Sequence, residues 1–189
     1  MILFDRGLQV ELTIHARPTM YKCKAVVQDR YKKDGLYFLD VVCGKLTKFQ
    51  RREFFRIECI VDFKFYVLPE DWTMSEEKAK DLYLKAQSEE VDWVETQGVI
   101  LDISGGGIRF LSTQKLEEGR TLLVFFRLKN DKMDQTFYIH SELLASIKSE
   151  SAEEKYMNRA KFLFQDLRDR ENIVKYVFEE ERKRNSRAR

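Results

Sequence analysis

The chain has 189 residues, enough for one well-packed domain or a medium domain with a small one, and too few for a large multidomain enzyme. Its 34 basic and 32 acidic residues leave a net charge of +2, so attraction for an anion has to come from local clustering. Cys23, Cys43 and Cys59, with His15 and His140 far apart, lack the spacing of a metal site or a disulfide framework and read as the reduced residues of a cytosolic protein.

Asp5 and Arg6 interrupt the first residues, MILFDRGLQV, too early for a signal peptide. The longest apolar run, Leu122 to Phe126, is too short to span a bilayer, so a soluble cytoplasmic protein is expected. Leu8, Val10, Leu12 and Ile14 alternate with polar residues, the period of a half-buried strand. KAVVQ and LYFLDVVC follow as strands, with the turn-prone KKDG at Lys32 to Gly35 before the latter. These opening residues cannot bury a full core and suggest a small or incomplete barrel.

Next comes FQRREFFRIE, Phe49 to Glu58, with Arg51, Arg52 and Arg56 beside Phe54 and Phe55. From Ile57 to Val67 apolar residues alternate again, a long strand with one apolar face. Pro69 ends it, Thr73 and Glu76 form a capping box, and Ala79, Leu82, Tyr83 and Ala86 recur at helical spacing, a charged helix inserted between strands. Strands resume at QGVILDI and GIRFLS, broken by Ser104 to Gly107, and continue through TLLVFFRL, TFYIHSELLASIK and NRAKFLFQ. Ile173, Val174, Val177 and Phe178 place an apolar stripe on a terminal helix that docks on the barrel. Its basic ending, ERKRNSRAR, complements a helix C-terminus. Many short strands with few helices make an all-β barrel with appended helices.

No catalytic constellation emerges, and no enzyme is expected. DISGGG lacks the G-x-S-x-G elbow, has no neighbouring histidine, and lacks the Lys-Ser/Thr of a phosphate-cradling loop. The arginine cluster is more informative, because a guanidinium is a permanently charged planar fork that grips phosphate and the O6/N7 edge of guanine. Asp102 is a carboxylate suited to guanine N1 and N2 protons, Ser104 a donor or turn cap, and Gly105, Gly106 and Gly107 permit close backbone approach. Phe54 and Phe55 read as anchors of the loop rather than ligand contacts.

Taken in this order, QRREFFR and DISGGGIRF resemble the paired RxxxR and (D/N)xSxxG motifs of PilZ domains, which bind cyclic dimeric GMP (c-di-GMP). Arg52 and Arg56 match the first motif, Arg51 the extra arginine before it, and Asp102, Ser104 and Gly107 the second. The likeness covers about Phe49 to Lys183 and implies a six-stranded barrel. The segment in front resembles the N-terminal domain of flagellar brake proteins, though shorter. The expected division is a β domain over 1–48, an arginine linker over 49–56, and a PilZ barrel over 57–189 with a helical insertion near 70–96 and a C-terminal helix near 169–184.

By this likeness the ligand site comprises Arg51, Arg52, Arg56, Asp102, Ser104, Gly105, Gly106 and Gly107. The resemblance implies a receptor that changes conformation around c-di-GMP, bound as an intercalated pair, and signals to a flagellar stator or rotor protein at the basal body. Neither metal nor cofactor is implied. Competing readings are a small barrel that binds single-stranded nucleic acid through the same arginines, and a ligand-free PilZ-like scaffold for proteins.

Overall fold

A computed structural model of the chain describes residues 4–16, 19–50, 52–74, 77–88, 90–150 and 154–187. The chain divides into two compact units, Met1–Glu53 and Phe54–Arg189.

The first unit is an antiparallel sheet of β1 (Gln9–Ala16), β2 (Thr19–Lys33), β3 (Leu36–Cys43) and β4 (Thr47–Phe49). The long β2 is shared: β1 pairs along its first half, while β4 and then β3 pair with it at Met20–Lys22 and Ala25–Lys33. The β2–β3 turn is made by Asp34 and Gly35, both left-handed at φ 51° and 80°, the geometry a tight hairpin needs. Cys23, Ala25 and Val27 alternate as the buried positions of β2. The expected small or incomplete barrel is therefore an open four-stranded sheet, and β4 is a strand the sequence pattern did not reveal.

The second unit contains β5 (Arg56–Val67), α1 (Ala79–Gln87), β6 (Thr96–Ser104), β7 (Gly107–Ser112), β8 (Thr121–Lys129), β9 (Asp134–Lys148), β10 (Tyr156–Leu163) and α2 (Leu167–Arg187). The strands close into an antiparallel barrel in the order β10, β7, β6, β5, β8, β9. Six strands leave an interior that side chains alone can fill. Phe63, Phe65 and Phe110 fill it with ring centroids 5.0 to 5.6 Å apart, joined by Ile100, Ile103 and Phe126. Ile173, Tyr176 and Val177 of α2 enter the same core, so the terminal helix docks on the barrel as its apolar stripe requires.

A second apolar cluster lies outside the barrel wall. Ala79, Leu82 and Ala86 of α1 cover Tyr66, Leu68 and Leu123, which explains why the end of β5 is buried on both faces. The expected capping box of Thr73 and Glu76 lies partly outside the described residues. Helix α1 begins at Ala79 after Lys78, which makes no side-chain cap, and Glu76 lies outside the described residues. Instead, the Ala79 N–H donates to Gln165 Oε1 at 3.0 Å, a cap supplied by a distant segment.

His140, on the outer face of β9, is fully buried, its ring packed at a tilt against Trp72 with centroids 4.8 Å apart. Burial lowers its pKa from the ordinary 6.5 to about 4, because the charged imidazolium is poorly solvated there. The unfolded chain therefore takes up a proton before the folded chain does, and stability is lost as pH falls from 6.5 towards 4. The urea midpoint is expected to fall across that window more steeply in the wild type than in His140→Phe; equal slopes would show that His140 contributes nothing.

Candidate functional site

The site is built on the β6–β7 hairpin. Ser104 pairs with Gly107 across it, and Gly105 and Gly106 form a two-residue turn. Ser104 Oγ accepts from the Gly106 N–H at 3.3 Å and donates to the Gly107 carbonyl at 3.2 Å, so the hydroxyl caps its own turn. The glycines answer to space. A Cβ on Gly105 would lie 2.5 Å from Val174 and 2.8 Å from the Phe54 ring, and one on Gly107 would strike the Ala160 carbonyl of β10. The ring of Phe54 also lies 3.0 Å from where a Gly106 Cβ would sit, so it covers the turn.

Strand parity decides which side chains the hairpin presents. Ile100 and Ile103 both belong to the core although they are an odd number of positions apart, because Leu101 is an extra residue opposite β7, where the register shifts between Ile100 and Asp102. Such a bulge reverses the alternation beyond it. Ile103 therefore enters the core, and Asp102 and Ser104 share the outer face.

On that face Asp102 is only 8% exposed and meets two guanidinium groups. Arg109, directly opposite on β7, donates through Nε to Asp102 Oδ2, and Arg56, at the start of β5, places Nη1 4.0 Å from Oδ1. Burial, and then the negative charge of Asp102, push the nearby Cys59 thiol up to about 11, so it stays protonated at neutral pH. Arg184, near the end of α2, donates to the Glu58 carbonyl of β5, so part of the basic ending is engaged within the fold.

Phe54 and Phe55 fasten the entry to β5. Phe54 is half-buried on the glycine turn with the Arg170 guanidinium 5.6 Å from its centroid, and Phe55 stacks on Phe178 of α2 at 6.3 Å. Among the sequence-derived residues, the structure brings together Arg56, Asp102, Ser104, Gly105, Gly106 and Gly107. Arg52 is exposed at the end of the first unit, where its carbonyl accepts from Gln50 Nε2 at 3.1 Å, and Arg51 lies outside the described residues. Arg56 shares the Asp102 carboxylate. Arg109 was missed. Counting outward from a two-residue turn sets Asp102 opposite it, a signal the sequence does hold.

The fold defines a small antiparallel barrel docked by a C-terminal helix. A model of the PilZ domain matches residues 50–179, and the chain belongs to the PilZ domain family, whose members are c-di-GMP receptors and effectors. The Bacillus subtilis inhibitor of motility MotI/DgrA superimposes with a TM-score of 0.74 at 13% identity, over 95% of this chain and 76% of that one. Escherichia coli YcgR, solved in complex with c-di-GMP, gives 0.54 at 16% identity, over 95% of this chain and 68% of that one. At such identities the likeness is one of fold. No curated protein gives a significant match. Among the described residues, no helix is long and apolar enough to cross a membrane and no group of three or more His, Cys, Asp or Glu could hold a metal ion.

The close approach at Gly107 yields a stability test. Gly107→Ala is expected to lower the unfolding free energy by about 1 to 3 kcal/mol, because backbone rather than a movable side chain occupies the space. Denaturant unfolding of Gly107→Ala with the open-turn control Gly119→Ser, where nothing lies within 4 Å, separates this clash from the left-handed strain of Gly119 at φ 84°.

Proposed function

We propose that this chain is a receptor for c-di-GMP, with Arg51, Arg52, Arg56, Asp102, Ser104 and the backbone of Gly105 to Gly107 as its ligand-binding residues. The observation that carries this reading is the shared outer face of the hairpin, where Arg56 and the buried carboxylate of Asp102 lie beside the glycine turn in a PilZ barrel. A guanidinium fork suits phosphate oxygens and the guanine O6/N7 edge, while a carboxylate accepts from guanine N1 and N2. Arg56 meets the Asp102 carboxylate only at 4.0 Å and its side chain is nearly half exposed, so its guanidinium keeps donors for a dianionic ligand. Arg51 and Arg52 add donors from the segment before Phe54, and ordering that segment is the conformational signal. No step of this reading requires chemistry on the ligand.

Control of motility from the cytoplasm, through a flagellar stator or rotor protein, is the finer part of the proposal. It draws on the fold shared with a motility inhibitor and with a c-di-GMP-bound protein.

Charge-assisted contacts contribute about 1.5 to 3 kcal/mol each, so several of them reach micromolar affinity, which needs roughly 8 kcal/mol. Calorimetry of the full chain is expected to show saturable c-di-GMP binding and little response to GMP or the cyclic adenine analogue. Arg52→Ala, Arg56→Ala and Asp102→Ala are each expected to weaken binding by about tenfold or more. A wild type that gives no heat would end the receptor reading; three variants that bind as the wild type does would end the residue assignment. Arg109→Ala is expected to weaken binding several-fold, because Asp102 loses the partner that orients it.

A further inference from the structure

Cys23 and Cys43 both lie in the first unit, and both are free thiols. Cys23, Ala25 and Val27 are the buried positions of β2, and Cys43, the last residue of β3, stands directly opposite Ala25. Residues directly opposite in an antiparallel pair project to the same face, so Cys43 shares the face on which Cys23 is buried. Beyond Cys43 the chain stays beside β2. The Gly44 N–H donates to the Lys24 carbonyl at 2.9 Å, and Thr47 pairs with Lys22. Cys23 is thus held against the segment that begins at Cys43. The two thiols meet in a hydrogen bond, and burial, followed by that contact, raises the pKa of Cys23.

Exposure divides the pair. Cys43 is exposed, whereas Cys23 is only 4% exposed, so an oxidant in solution reaches the first thiol and is shut out from the second. An accessible thiol beside a second one that can resolve its oxidised form is the arrangement of a reversible redox site. Cys59 offers no alternative partner, because it lies in the other unit and burial keeps it protonated.

We propose that Cys23 and Cys43 form a reversible disulfide when the protein meets a hydroperoxide. The Cys43 thiolate attacks the terminal peroxide oxygen, the O–O bond breaks, and water or an alcohol leaves as Cys43 becomes a sulfenic acid. The Cys23 sulfur then attacks that sulfur. The S–S bond forms, the S–O bond breaks, and the hydroxyl leaves as water with the Cys23 proton. The two thiols give up two electrons in total, and the hydroperoxide takes them. A dithiol reductant reverses the change. The ring so closed contains the rest of β2, the turn at Asp34 and Gly35, and β3, so oxidation pins that hairpin. The proposal is independent of the c-di-GMP reading, because it uses no residue of that site.

The test treats the reduced full chain with hydrogen peroxide, caps the remaining thiols with N-ethylmaleimide, and digests the product with trypsin without reductant. Lys24, Arg30, Lys32 and Lys33 lie between the two cysteines, so cleavage separates their peptides unless a disulfide joins them. The expected product is a monomer with linked Cys23 and Cys43 peptides and a single maleimide on Cys59, and dithiothreitol is expected to restore all three thiols. Cys43→Ser, a change at an exposed position, is expected to leave Cys23 as a thiol under the same treatment. Cys23→Ala is expected to hold Cys43 as a sulfenic acid that dimedone traps. If Cys23→Ala does not fold by circular dichroism, the wild-type peptide map and Cys43→Ser decide the matter. A wild type that keeps all three thiols at peroxide concentrations that convert free glutathione to its disulfide would overturn the proposal. So would losses that fall on Cys59 or on bonds between chains, or a Cys23 that oxidises equally fast in Cys43→Ser.

Discussion

Closure of the barrel runs through a seam at which β10 passes so near Gly107 that only a residue without a Cβ fits. The Phe162 N–H donates to the Gly106 carbonyl at 3.0 Å, which ties the same seam to the hairpin tip. The hairpin is therefore placed by the closing strand as well as by its own ladder. Everything on its outer face inherits that placement: the capped turn at Ser104, the carboxylate of Asp102, and the surface on which Phe54 rests. Helix α2 adds a constraint from the other side, since Val174 would lie 2.5 Å from a Cβ on Gly105.

Electrostatics then act on a fixed frame. Asp102 is largely withdrawn from water, a position that costs solvation unless the charge is paired, and Arg109 supplies the short contact. The looser approach of Arg56, at 4.0 Å and nearly half exposed, leaves that guanidinium with most of its donors facing solvent. A tight pair thus orients the carboxylate, while the arginine beside it keeps capacity for another acceptor. This division of labour follows from register, because the residue opposite Asp102 on β7 is Arg109, whereas the one opposite it on β5 is Glu58.

The elements most legible in the sequence are those whose side chains report their surroundings by period. The alternation of Ile57 to Val67, the helical spacing of Ala79 to Ala86 and the stripe of Ile173 and Val177 each found their places because burial imposes those periods. Three features escaped for physical reasons. The cap of α1 comes from Gln165, 86 positions away, which no local motif can announce. Strand β4 is three residues held to β2 by backbone bonds, with too few side chains to show a period. The bulge at Leu101 reverses parity without a glycine or proline to mark it, so the outward aim of Asp102 was carried by a motif rather than by alternation. The pairing of Asp102 with Arg109 needed only the turn length, which the glycine run itself suggests.

The described residues of the insertion lie at the end of β5 remote from the hairpin, and the layout of that strand shows why. The Arg56 end of the strand pairs with Ser104 and carries the charged face, while the Val67 end pairs with Leu122 and leads into the insertion. Between them Ile60 is 85% exposed, so the apolar cover over Tyr66 and Leu68 does not extend back to the charged end. The insertion has its own apolar cluster and draws nothing from the barrel interior, so its sequence can change without shifting Ile103 or Gly107. It is not isolated, however. Gln165 holds the first N–H of α1 and sits just before α2, the helix that packs against Gly105 and Phe55. One short connection thus joins the first turn of α1, through the Gln165 hydrogen bonds, to the helix that bears on the hairpin.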